Sequence, residues 1–243
     1  MRILVAVKRV PDPNQRVRVH ADGSAVETAG LRWVLNPYDE TALECAVRWK
    51  ESGLATEVLV VAAGGSGCKD ILRNALALGA DRALHLAASD EVAPLAAARA
   101  IADVARSEKC DVALVGSQAV DDGAALGPLV GGLLDWPQAT RAVSASVAGG
   151  TVRVERFGDS GVEALDLDLP CIVTADLRLA APRFASLTAV LAAKKKVIEE
   201  RPVTAAGDAA RVLSVAAVSR ARDARRVSSA RELLAALRER GGL

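Results

Sequence analysis

Apolar residues in the first half of the chain come in short unbroken runs separated by longer amphipathic stretches. "ILVAV" (3–7), "EVLVVAA" (57–63), "ALHL" (83–86) and "DVALVG" (111–116) are aliphatic throughout rather than alternating, the pattern of strands covered on both faces. Helical periodicity fills most of the gaps. In "NPYDETALECAVRWKESG", Asn36 is placed to cap a helix, Pro37 suits its first position and Asp39 sits where a capping carboxylate would. Ala42, Leu43, Ala46 and Val47 give that helix one apolar face, and Gly53 stops it. A second helix is predicted over about 69–78, with Gly79 as its stop, and a third over about 90–108. Strand and helix in alternation predict a doubly wound, mainly parallel α/β sheet.

After Pro137 the period changes to two. The stretch from Ala142 to Leu177 alternates apolar and polar residues around turns at Gly149–Gly150 and Asp159–Gly161, predicting an antiparallel hairpin that extends the sheet. From about Lys194 apolar density falls and charges cluster. A last helix over about 230–240 carries Leu233, Leu234 and Leu237 on one face, which a solitary tail cannot bury and a partner surface could. The predicted division is a core of 1–193, including a segment 182–196 discussed below, and a C-terminal arm of 194–243.

Composition narrows the chemistry. Aromatics are only 2% of the 243 residues, so Ala, Val and Leu must build the core. A net charge of +1 argues against nucleic-acid binding, and Asp223, Glu232 and Glu239 interrupt the basic tail. Cys45, Cys68, Cys110 and Cys171 form no CxxC pair, and with two histidines they make no structural zinc site; reduced thiols in the cytoplasm are expected. "MRILVAVKRV" enters a strand pattern at once, without leader-peptide character, and no apolar run reaches a membrane span.

In an open α/β sheet the ligand crevice lies beyond the carboxyl ends of the strands. Three loops qualify: Ala6–Arg9, "AGGSGCKD" after the second run, and "GSQAVDDGAALGP" after the fourth. The glycine loop could cradle a phosphate, but it lacks the third glycine of a dinucleotide fingerprint and the GK[ST] of a P-loop, so a tight strand-to-helix turn explains it better. The third loop is long for a strand-to-helix connection; its Asp121 or Asp122 either caps the next helix or meets a ligand. Acid pairs, histidines and cysteines form no catalytic constellation, and no Ser or Cys sits in a nucleophile elbow.

Six fragments in order, "ILVAVKRVPD", "LNPYDETALECAVRWKE", "LRNALALGADRALHL", "DVALVGSQAVDD", "LLDWPQAT" and "LPCIVTADLRLAAPRFASLTAVLAAKKK", resemble the beta subunit of electron-transfer flavoprotein over residues 1 to about 200. The resemblance implies a Rossmann-like, adenine-nucleotide-binding fold in an alpha–beta heterodimer. One FAD, held mainly by the alpha subunit, carries electrons from flavin dehydrogenases to a quinone oxidoreductase at a membrane, and beta is a non-catalytic scaffold that buries AMP. By position the nucleotide contacts are Ala6, Asn36, Pro37, Tyr38, Asp39 and Ala63, then Gly116, Ser117, Gln118, Ala119, Val120, Asp121, Asp122, Gly123, Ala124 and Ala125. Tyr38 matches an aromatic facing the flavin, and Pro13 replaces a second one. "PRFASLTAVLAAKKK" matches the family's recognition loop for dehydrogenases, with Leu187 as apolar anchor and Arg183, Phe184, Lys194, Lys195 and Lys196 around it.

The third loop departs from the family. After Asp121–Asp122 it reads "GAALGP", with Ala124, Ala125 and Leu126 in place of side chains that hold the AMP phosphate in the usual branch. Each lost bond to a charged group is worth about 1.5–3 kcal/mol, which leaves backbone N–H groups at a helix start near Gly123 for the phosphate. Two other readings stay open: a bifurcating subunit with its own FAD that oxidises NADH, and a stand-alone nucleotide-binding stress-type protein. Segment 182–196 argues against the last, since a buried core needs no cationic, exposed leucine loop. Leu187 could alternatively share a helix face with Phe184 and Leu191. High Ala and Arg usage suggests a bacterial source.

Overall fold

In chain order the elements are β1 (Arg2–Ala6), β2 (Arg9–Pro11), β3 (Trp33–Leu35), α1 (Pro37–Glu51), β4 (Glu57–Gly64), α2 (Cys68–Ala77), β5 (Arg82–Ala87), α3 (Pro94–Ser107), β6 (Val112–Gly116) and α4 (Leu126–Leu134). There follow β7 (Gln138–Ala148), β8 (Thr151–Gly158), β9 (Gly161–Asp168), β10 (Cys171–Ala175), α5 (Leu187–Lys195), β11 (Ile198–Pro202) and α6 (Ala230–Glu239). This is a computed structural model, and it describes residues 1–90, 92–203, 212–218 and 224–241. The chain divides into two units, Met1–Arg16 with Thr28–Arg211, and Val17–Glu27 with Val212–Leu243.

The larger unit is a nine-stranded sheet in the order β11-β5-β4-β1-β6-β10-β7-β8-β9. From β11 to β7 neighbouring strands run parallel, and β7, β8 and β9 continue antiparallel. The unbroken apolar runs have their physical reason here. Ile3, Val5 and Val7 join the core under α1 and α2, while Leu4 and Ala6 join the core under α3 and α4. Successive side chains point to opposite faces, so a strand covered twice must be apolar at every position. Leu4, Leu43, Leu72, Leu84, Leu114 and Ile172 fill most of this core, with Trp49 its one buried aromatic among the described residues.

Several sequence expectations change. The third helix starts at Pro94, later than 90, and the fourth at Leu126, three residues past Gly123. "CIVTA" is not part of the alternating extension. All five residues are buried, because β10 inserts in parallel between β6 and β7. Residues 198–202, in the stretch read as the start of an arm, add β11 to the sheet edge beside β5.

In the smaller unit Val19 and Val26 form an isolated antiparallel bridge, and Val215 N–H donates to Gly23 O at 2.9 Å. Helix α6 is capped by Ser229, whose hydroxyl accepts from Glu232 N–H, while Glu232 accepts from Ser228 N–H at 2.7 Å. Asp223, which breaks the charge run in sequence, lies outside the described residues.

Candidate functional site

From β1 the chain winds outward through β4 and β5, then returns past α3 to place β6 on the other side of β1. The reversal leaves a crevice at the carboxyl ends of the strands, as such a switch point requires. A cavity of about 460 Å³ occupies it, with Ala6, Ala63 and Val115–Gly116 at the strand ends. All three loops singled out in the sequence contribute to its walls: Ala6–Arg9, Gly65 and Cys68, and Gly116 through Leu126 in part.

Asp39 fixes the geometry. Its buried carboxylate accepts from Lys8 N–H at 2.7 Å and Gly116 N–H at 2.9 Å, fastening the first turn of α1 to the exits of β1 and β6. Burial pushes its carboxyl up to about 7, against the pull of those donors and of the Lys8 charge. Asn36 does not cap α1 through its side chain. It instead donates from Nδ2 to Gln118 O at 2.9 Å, and its Oδ1 is buried without a partner among the described residues. The two residues read as local caps are thus long-range ties.

Asp121 caps nothing either. It pairs with Lys8 Nζ; burial opposes its ionisation, but the Lys8 hydrogen bond and charge outweigh that and keep it below the usual carboxylate range. Its charge is therefore matched, and the start of α4 beside it has Ala125 at the cap with no side-chain acceptor. Gly123, Ala125 and Leu126, around the start of α4, line the crevice, and Gly123 N–H donates to Asp121 Oδ1 at 3.2 Å. Asp122 takes a left-handed φ of 54° and does not line the cavity.

Of the residues placed by resemblance, Ala6, Asn36, Asp39, Ala63, Gly116, Gln118, Ala119, Asp121, Gly123 and Ala125 line the cavity. Pro37, Tyr38, Ser117, Val120, Asp122 and Ala124 stand behind or beside it. Gln118 Nε2 donates to the Tyr38 hydroxyl at 2.8 Å. Residues that sequence reasoning did not name include Arg9, Trp33, Cys68 and Asp90. Only Arg9 and Cys68 fell within a flagged loop. Trp33 arrives through the β2–β3 ribbon, which three-residue strands do not announce.

The glycine turn has a third use. At Gly67 a Cβ would stand 2.7 Å from Arg9 Cζ, so the glycine admits a guanidinium. His85, buried in β5, holds the same turn: its Nε2–H donates to Gly64 O at 2.9 Å, with Gly65 O at 3.1 Å. Burial pushes the Cys45, Cys110 and Cys171 thiols up to about 12, so they are not thiolates at neutral pH. No group of three or more metal-ligating side chains exists among the described residues.

Segment 182–196 is a loop only as far as Ser186. Ser186 Oγ accepts from Ala189 N–H at 3.2 Å and starts α5, with Leu187 as its first residue. The helix does not bury that side chain: Phe184 is 100%, Leu187 76% and Leu191 51% exposed. Its cations divide. Arg183 turns inward, Nε to Glu44 at 2.7 Å and Nη2 to Glu51 at 2.8 Å. Lys196 donates to Ala80 O at 2.8 Å, whereas Lys194 and Lys195 stay exposed in the last turn of α5. Arg73 of α2 donates to Ala193 O at 2.6 Å and anchors the helix end. No helix among the described residues is long and apolar enough to cross a membrane.

Comparison with known proteins converges on one family. Residues 24–206 match the electron transfer flavoprotein domain. The chain is 46% identical over 213 residues to the Mus musculus electron transfer flavoprotein subunit beta, covering 86% of this chain and 82% of that one. It is 46% identical over 204 residues to the Homo sapiens subunit beta, covering 82% and 80%. To the subunit beta of Bradyrhizobium diazoefficiens it is 45% identical over 204 residues, covering 84% and 82%.

Proposed function

The chain belongs to the electron transfer flavoprotein family, on the side of its beta subunits, and from that premise we propose that it is the scaffold subunit of an alpha–beta electron carrier. The alpha partner holds most of the FAD contacts. This chain adds a crevice for an adenine nucleotide and a docking surface for flavin dehydrogenases, and the reduced carrier passes its electrons to a quinone oxidoreductase. A bacterial cytoplasm is the compartment that suits the composition.

The observation that carries the reading is the row Phe184, Leu187 and Leu191. Three large apolar side chains stand out on a segment that Ser186, Arg73 and Arg183 hold firmly in place. Exposed apolar side chains on a fixed support cost nothing to order when a partner covers them, which is how an interface anchor works. In the crevice, the strand ends at Ala6 and Ala63 would take the adenine and the start of α4 the phosphate, with Lys8 neutralising the neighbouring Asp121. With Ala124 and Ala125 supplying no donors, AMP binds more weakly than where polar side chains stand.

Purification with and without the alpha subunit tests this. The complex should be yellow with FAD, the isolated chain colourless, and acid-released nucleotide should be AMP. A yellow isolated chain whose flavin NADH reduces would replace this reading with the bifurcating one.

A further inference from the structure

An anionic ligand in the crevice requires a cation within reach, and few stand there. Among the described residues that line it, only Lys8 and Arg9 are cationic. The Arg9 guanidinium is enclosed: its Cζ lies 4.2 Å from the Trp33 ring centroid, a Cβ on Gly67 would meet it at 2.7 Å, and its Nε is buried. Lys8 is placed otherwise. Its backbone is fastened on both sides, the N–H donating to Asp39 at 2.7 Å and the carbonyl accepting from Asn36 N–H at 3.0 Å. Its side chain reaches from the exit of β1 to the loop after β6, where Nζ pairs with Asp121.

That pair is loosely held. The side chains of Lys8 and Asp121 are 50% and 55% exposed. An ion pair so open to water contributes little, because solvent screens it and two side chains must be ordered to form it. The other carboxylate oxygen of Asp121 accepts from Gly123 N–H at 3.2 Å. One carboxylate thus takes both an ammonium and a backbone N–H at the crevice wall, as an incoming phosphate would. A phosphate monoester carries about two negative charges and three acceptor oxygens, and so attracts the ammonium more strongly than a carboxylate does. Ala124, Ala125 and Leu126 supply no side-chain donor nearby, which leaves this role to Lys8.

We propose that Lys8 binds the phosphate of the crevice ligand, and that Asp121 is the intramolecular anion which the phosphate displaces from it. Asp121 then turns to solvent, to which it is already half exposed. This rests on the adenine-nucleotide reading above and gives its phosphate a side-chain partner.

Isothermal titration of the full-length chain, stripped of nucleotide, with AMP and with adenosine tests the exchange. Lys8→Met keeps the aliphatic stem without the charge. It should weaken AMP by about tenfold, the worth of one charge-assisted hydrogen bond, and leave adenosine unchanged. Asp121→Asn removes the competitor and should tighten AMP by about two- to fivefold, again without effect on adenosine. A pair that only braces the two loops cannot move AMP in opposite directions; breaking it from either side would lower the melting temperature and affect both ligands alike. Equal losses of AMP and adenosine in Lys8→Met, an unchanged AMP affinity there, or weaker AMP in Asp121→Asn would each overturn the proposal. The asparagine variant decides by itself if the methionine variant fails to fold. If the unsubstituted chain binds adenosine but not AMP, the phosphate contact falls while the crevice reading stands. If it binds neither, both fall together.

Discussion

At the scale of single residues, Asp39 and Gly67 set the crevice. Asp39→Asn turns an amide N–H2 toward one of the two backbone N–H groups that its carboxylate accepts, from Lys8 and Gly116. Unfolding in urea should show a loss of about 1–3 kcal/mol, the cost of an unsatisfied buried donor. The effect should depend on pH. Burial raises the folded-state carboxyl to about 7 from an ordinary value of 3.8, so the folded state binds the proton more tightly between the two. The contribution of Asp39 is then fullest below about pH 4 and declines as pH rises through about 7. The margin of wild type over Asp39→Asn should narrow across that window; a margin that widens would mean that the N–H donors, rather than burial, govern the ionisation. Gly67→Ala should push the Arg9 guanidinium off Trp33, since the new Cβ falls 2.7 Å from Cζ. Tryptophan fluorescence, compared with a Trp33→Phe control, reads that displacement. In the sequence Asn36 and Asp39 look like caps because a capping signal is local. Their actual partners, Gln118 and Gly116, lie 82 and 77 residues further on, and no local pattern points there.

At the scale of elements, α5 carries the docking reading. A stretch rich in Ala after Ser186 has both the cap and the propensity of a helix, which a reading as a loop overlooks. Leu187→Ala should leave the melting temperature unchanged, because a side chain 76% exposed contributes little burial. Stopped-flow reduction by a dehydrogenase should slow, with docking weakened by about 1–2 kcal/mol if Leu187 is the anchor. A lowered melting temperature with normal electron transfer would return Leu187 to a structural role. Arg183 belongs to the support rather than the contact. Burial opposes ionisation of Glu44, but hydrogen bonds from Arg183 and Arg48 outweigh it and hold the carboxyl below its usual value. Arg183→Ala should therefore cost about 1.5–3 kcal/mol near neutral pH. The wild-type advantage should disappear as pH falls below the ordinary 4.5 and through the depressed folded value, which denaturation at several pH values checks.

At the scale of the molecule, residues from Val212 onward belong to the smaller unit. Helix α6 exposes Leu233, Leu234 and Leu237 on one side, an apolar stripe suited to a partner surface. Deleting residues from 212 onward spares β11, which pairs with β5 and belongs to the sheet. That truncation should fold but weaken assembly with the alpha subunit. Size-exclusion chromatography of the mixture checks it, and undiminished heterodimer would take the arm out of the interface.

The sequence by itself determined the doubly wound sheet and the loops around its crevice. Strands covered on both faces must be apolar throughout, and helices must show a 3.6-residue period, so these features are written in adjacent residues. It also placed the exposed segment near Leu187, since a leucine among lysines has no core to join. Only the tertiary structure decided which charges are spent inside the molecule. Arg183 faces Glu44 and Glu51, Lys8 faces Asp121, and Lys196 faces Ala80, pairings across 113 to 139 residues that depend on how helices lie over the sheet. It also brought Trp33 and Gly67 against Arg9, and left the Nε of that arginine without a hydrogen-bond partner among the described residues. A hydrogen bond that is missing depends on every neighbour at once, and no stretch of sequence records it.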